Sequence, residues 1–284
     1  MTKIGALVIH GMGSQESDFA DGLIYELSNR LEDDAARIEW QPVHWAPFLR
    51  DRQVRLMAKM GRAKQPDGTR IDLDANFLRD FVLHKLGDAV AYQRDLHPES
   101  AGFVVHRIIS DNIQLLKQKL NDPAAPIVVF AHSLGGHMMS NYIWDRQQDV
   151  RRGRAMTFEP LPTFLAFISF GCNIPLFGLA FDEAKPIDLP GEAITSPELL
   201  NAARWLNFVD GDDVLGWPLR PLYSKDIETL AASQLSTLGR IEDRQINVGN
   251  LLTSWNPFSH DAYWTDNDFT VPVAAYLKRV LALI

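Results

Sequence analysis

Val128-Val129-Phe130-Ala131-His132-Ser133-Leu134-Gly135-Gly136 is the stretch around which the chain reads. Three apolar residues lead in, two of them β-branched, which suits a buried strand. A small residue, a serine and a glycine pair follow, and then Met138, Met139, Tyr142 and Ile143 at helical spacing. The order is strand, sharp turn, helix. A strained turn of this kind lifts a serine Oγ clear of the sheet edge. It needs small residues two before and two after the serine, because strand and helix pass close together there. Ala131 and Gly135 hold those places, so the pattern is G-x-S-x-G with alanine for the first glycine. The plainer reading makes Ser133 an N-cap of the following helix.

Working outward, Ile4-Gly5-Ala6-Leu7-Val8-Ile9 reads as a buried parallel strand. His10-Gly11-Met12-Gly13-Ser14 follows it directly, then a helix with Phe19, Leu23, Ile24, Leu27 and Leu31 on one face, then a strand from Ile38 to Trp45. Neither G-x-G-x-x-G nor G-x-x-x-x-G-K-[ST] occurs in the glycine turn, which leaves an oxyanion site as its chemical use. Ala101 to Leu120 reads as a helix, Phe164 to Phe170 and Arg204 to Val209 as strands, and Gln245 to Val248 as a last edge strand. Residues 223 to 245 are polar and partly helical. A terminal helix buries Val273, Tyr276, Leu277, Val280 and Leu281.

These residues resemble the α/β-hydrolase superfamily, on its lipase and esterase side. The resemblance rests on His10-Gly11-Met12-Gly13 after an early strand and Ala131-His132-Ser133-Leu134-Gly135 after a later one. It implies Ser133 as nucleophile, with oxyanion N–H groups near Met12 (Gly11 and Gly13 being alternatives) and at Leu134. Asp210-Gly211-Asp212-Asp213-Val214 lies past a strand end, where the family places its acid. It resembles the N-x-x-x-x-x-D-P-V-A-Y-x-L-x-P-L stretch of intracellular phospholipases with a DDHD domain, matched at Asn207, Asp213, Leu219, Pro221 and Leu222. That closer alignment makes Asp213 the acid, and the D-x-V motif of lipases allows Asp212 as the alternative. His260-Asp261-Ala262-Tyr263-Trp264 resembles the family's catalytic histidine loop. The order Ser133, Asp213, His260 is the family's order. His10 and His106 are read as packing residues, and Cys172 as a small buried one.

The resemblance implies an α/β fold over 1–284, a mainly parallel sheet of roughly six strands with helices on both faces. Residues 46–98 are read as a helical insertion. It carries Arg50, Arg52, Arg55, Lys59, Arg62 and Lys64 among apolar residues, with a second helical pattern at Phe77, Leu78, Phe81, Val82 and Leu86. It is either a cap or lid with affinity for an anionic membrane surface or a solvated excursion. The implied reaction is hydrolysis of a carboxylic ester through an acyl-enzyme, on a small-molecule or lipid ester. A thioesterase, an acyltransferase and a catalytically silent binding protein are the alternatives.

A net charge of −8 argues against nucleic acid as a partner. One cysteine excludes an intrachain disulfide. The start lacks the shape of a signal peptide, and no apolar run is long enough to cross a bilayer, so a cytoplasmic protein is expected. His132 and His137 flank the serine without forming an H-E-x-x-H set, and neither metal nor cofactor is called for.

Overall fold

A computed structural model describes residues 2–13, 15–60, 62–69, 83, 87–92, 97–98, 100–180, 182–224, 227–249 and 257–284. Six strands form one sheet: β1 (Ile4–Ile9), β2 (Ile38–Val43), β3 (Ile127–His132), β4 (Phe164–Phe170), β5 (Arg204–Asp210) and β6 (Ile241–Ile246). Their order across the sheet is β2-β1-β3-β4-β5-β6, and every neighbouring pair is parallel. Parallel strands need crossovers on the faces, so both faces are covered and strand sequences become continuously apolar. β1, β3 and β4 are buried at every residue.

The pleat sends alternate residues to opposite layers. Leu7, Ile9, Val129 and Ala131 face one core with Val105, Ile109 and Ile113. These come from α3 (Ala101–Leu120), which packs beside α4 (Leu134–Arg151). Ala6, Val8, Val128 and Phe130 face the other core with Leu23, Leu27, Val273 and Leu277. Those belong to α1 (Asp21–Leu31) and the C-terminal helix Asn267–Leu281, which touch each other on that face. Ser100 caps α3 by accepting from the Phe103 N–H at 3.0 Å, and Asn121, in the left-handed region, ends it.

The chain leaves β1 toward β2 on one side and enters β3 on the other. Loops from the carboxyl ends of β1 and β3 therefore diverge, and the crevice between them is where open α/β sheets place ligands.

Two strand expectations need correction. The last strand is Ile241–Ile246, not Gln245–Val248. Its middle is charged (Glu242, Asp243, Arg244) because it is an edge strand with partly exposed positions, and edges are protected by charge. β2 stops at Val43, before Trp45, whose ring turns in to stack on His10. In the 46–98 segment, α2 (Ala46–Met60) buries Ala46, Leu49 and Gln53, while Phe77, Leu78, Phe81, Val82 and Leu86 lie outside the described residues. No described helix is long and apolar enough to cross a membrane.

Candidate active site

Ser133 follows the last residue of β3 with φ 51° and ψ −126°, a left-handed conformation that L-residues adopt only under constraint. The constraint is visible on both sides. Ser133 N–H donates to the Phe170 carbonyl of β4 at 3.0 Å, and α4 starts at the next residue. A Cβ on Gly135 would lie 2.5 Å from the His10 carbonyl oxygen, so only glycine lets the helix pass this close to the end of β1. The Ser133 side chain makes no capping bond to α4. It points instead at His260, with Oγ 2.7 Å from Nε2.

His260 stands in a 3₁₀ stretch, Pro257–Thr265, ahead of the C-terminal helix. Its Nδ1 is 2.9 Å from both oxygens of Asp213. Burial alone would raise the Asp213 carboxyl. Hydrogen bonds and charge at His260, the Leu215 N–H at 3.0 Å and the Tyr263 hydroxyl at 2.9 Å outweigh it and hold the group below its ordinary value. An ionised carboxylate only accepts, so Nδ1 must carry the ring proton. That leaves the Nε2 lone pair facing the Ser133 hydroxyl.

The three carboxylates after β5 are sorted by the fold. Asp210 turns inward and accepts from the N–H groups of Asp212 (2.8 Å) and Val248 (2.7 Å), closing the loop. Asp212 is exposed. Asp213 alone of the three faces His260. Tyr263 ties the set together: its hydroxyl accepts from the Asp210 N–H at 2.9 Å and donates to Asp213. In the sequence Tyr263 carries no signal beyond its place in the His260 loop, because its two contacts form only once β5 and the His260 stretch lie side by side.

His132 is fully buried beside His260, with ring centroids 4.8 Å apart. Its Nε2 donates to the His260 carbonyl at 2.7 Å. Burial, with the neighbouring His260, pushes its pKa down to about 3, so the ring is neutral. Cys172 is buried and its thiol is pushed up to about 12 by desolvation, which removes it as a nucleophile.

The turn after β1 lies directly against Ser133. A Cβ on Gly11 would be 2.5 Å from the Ser133 Cβ. His10 is buried and pushed down to about 3 by desolvation. Its Nδ1 donates to the Gly11 carbonyl at 2.9 Å, and its Nε2 accepts from the N–H groups of Trp45 (3.3 Å) and Ala46 (3.4 Å) at the start of α2. In a trans peptide the N–H points opposite to the C=O. Fixing the Gly11 carbonyl on His10 therefore fixes the Met12 N–H on the opposite side. Leu134, the first residue of α4, is fully buried. Its N–H is among the orphan donors of a helix start.

Ser133 is 0 % exposed and His260 4 %. Among the described residues no group of three or more His, Cys, Asp or Glu side chains could hold a metal ion.

Neither a protein-family model nor a curated protein matches the chain. A solved structure described as "LipS and LipT, two metagenome-derived lipolytic enzymes" superposes over 100 % of this chain and 95 % of its own, at 12 % identity and a TM-score of 0.42. At that distance the likeness says nothing about activity.

Proposed function

We propose that the protein is a serine hydrolase that cleaves a carboxylic ester through an acyl-enzyme. The observation that carries this reading is the unbroken chain from Ser133 Oγ through His260 Nε2 and Nδ1 to the Asp213 carboxylate. A serine hydroxyl is a weak nucleophile by itself. His260 Nε2 takes its proton as Oγ attacks the ester carbonyl, and Asp213 holds the tautomer and stabilises the imidazolium. The carbonyl oxygen, now negative, sits against the N–H groups of Met12 and Leu134. Collapse expels the alcohol, protonated by His260. A water then repeats the sequence on the acyl-enzyme and frees Ser133 and the acid.

Chain 1–284 is read as one domain, with 46–98 as its helical insertion. The substrate side is read as hydrophobic. A groove begins one helical turn beyond the serine at His137, with Trp144, Ile174, Phe177 and Leu222 as apolar walls and Asn141, Glu183 and Lys185 as polar ones.

The full burial of Ser133 favours a second reading, a silent fold that binds a ligand or partner. A fluorophosphonate probe separates the two. Intact-mass analysis should find one adduct on the wild type and none on Ser133→Ala. Absence of an adduct on well-folded wild type, together with no turnover of any ester in a chain-length series, would sink the hydrolase reading.

A further inference from the structure

Gln53 and Asp88 are buried polar side chains that belong to no strand and to neither turn at Ser133. Gln53 is on α2 and Asp88 is on helical residues 87–91. Among the described residues the Asp88 carboxylate links two donors: Oδ2 accepts the Gly13 N–H at 2.8 Å, and Oδ1 accepts from Gln53 Nε2 at 2.5 Å. The Gln53 amide also donates to the Leu83 carbonyl at 3.3 Å. A carboxylate only 2 % exposed is costly unless its lone pairs are used, and a charge-assisted bond to a backbone N–H is about twice as strong as a neutral one.

The bond commits the Gly13 N–H, so that group is not a donor to substrate. It also fixes the plane of the Met12–Gly13 peptide. The preceding plane, Gly11–Met12, is held by His10 through the Gly11 carbonyl. With both flanking planes held, φ and ψ of Met12 are held too, and with them the aim of its N–H. One turn beyond Asp88, the Tyr92 hydroxyl is hydrogen-bonded to His106 Nε2 on α3 at 3.1 Å, so this stretch is seated at two points.

We propose that Asp88, seated by Gln53, is a positioning residue that aims the Met12 N–H at the oxygen that becomes negative when Ser133 attacks an ester. The proposal rests on the hydrolase reading. It gives the 46–98 segment a part in the chemistry through an anchor inside the fold, independent of whether the segment covers the site.

The test compares wild type, Asp88→Asn, Gln53→Ala and the double variant Asp88→Asn/Gln53→Glu. Turnover of p-nitrophenyl butyrate is measured per serine labelled by the fluorophosphonate, and exchange of the Gly13 amide proton is followed by NMR. Removing an oxyanion donor costs about 10²–10³ in kcat; a misaimed one should cost about tenfold to a hundredfold, with KM changed by less than about twofold. Asp88→Asn is expected to do this and to speed Gly13 exchange. In the double variant the introduced amide oxygen can face Gly13 while its NH₂ faces the introduced carboxylate; that carboxylate cannot donate to the Leu83 carbonyl as Gln53 does, so a partial recovery of both losses is expected. If Asp88→Asn fails to fold, Gln53→Ala carries the test with a loss of about threefold or more in the same ratio, since small misplacements of a positioned group are felt in kcat. A lower melting temperature or labelled fraction with unchanged turnover per labelled serine would overturn the proposal and leave the hydrolase reading standing. Wild type that neither labels nor turns over ester would remove that reading and the proposal together.

Discussion

The turn after β3 is held by backbone contacts, whereas the turn after β1 is held by side-chain hydrogen bonds, one of them from a residue far away in the chain. At Ser133 the constraints are backbone ones: a left-handed residue locked between β4 and the first turn of α4, with a glycine two residues on that admits the neighbouring strand. At Gly11 to Gly13 the constraints are side-chain hydrogen bonds, from His10 on one peptide and from Asp88, 75 residues away in sequence, on the next. The difference teaches that one turn can be set by backbone packing while the turn packed against it depends on a side chain brought from distant sequence. It also says how each should fail: the first by steric change, the second by loss of distant polar groups.

Substitutions sharpen that contrast in decreasing order of effect. Asp213→Asn leaves both turns intact but removes the acceptor that sets the His260 tautomer; kcat should fall about 10⁴-fold with the melting temperature little changed. Asp212→Asn, at an exposed position, should stay within about twofold in the same assay. A reversed result would make Asp212 the acid. Gly135→Ala strikes the place where the two turns touch. The added Cβ meets a backbone carbonyl that has no soft way to yield. One turn must shift, and kcat should drop by about 10²-fold, the cost of a misplacement of about 1 Å. Unchanged kinetics there would mean that the two turns need not pack so closely.

Tyr263→Phe is a smaller change. It leaves the ring in place and removes one bond to Asp213 and one from the Asp210 N–H. A loss of about 1.5–3 kcal/mol in stability is expected by urea unfolding, since a buried donor and a charged acceptor both lose a partner. A separate effect lies in acid. Beside each turn lies one buried histidine, His10 and His132, whose pKa is lowered by burial from 6.5 to about 3. The unfolded chain takes up a proton on each below pH 6.5, and the folded protein does not until about pH 3. Stability therefore falls as pH drops through that window, by about 1.4 kcal/mol per pH unit for each histidine. His132→Asn should flatten the measured pH dependence by one proton relative to wild type. An unchanged slope would mean that this ring is protonated in the fold.

The parts legible in the sequence are those whose signal is local. β1, α3 and β4 have the bounds their apolar runs predict, because strands buried on both faces must be apolar throughout and a long helix must show its stripe. The pattern places the last strand at Gln245–Val248 and not at Ile241–Ile246, because an edge strand with charged residues lacks that run. Asp212 and Asp213 could not be separated by pattern, since adjacent loop residues differ only in the direction the backbone gives them. The link from Asp88 to Gly13 has no sequence signal at all. It joins an aspartate of the 46–98 segment to a backbone N–H, and nothing in either residue's neighbours specifies the other.

The complete burial of Ser133 has a kinetic consequence. If the protein acts as the proposed ester hydrolase, Oγ must be uncovered before an ester can reach it, and only the molecules open in that way can react. Every apparent affinity then contains the open fraction as a factor. If about 1 % of molecules were open, binding would be weakened about a hundredfold, or about 2.7 kcal/mol, with the chemistry itself untouched. Two proteins with identical relays could thus differ widely in kcat/KM, and a ligand that prefers the open form would raise activity without meeting a single reacting atom.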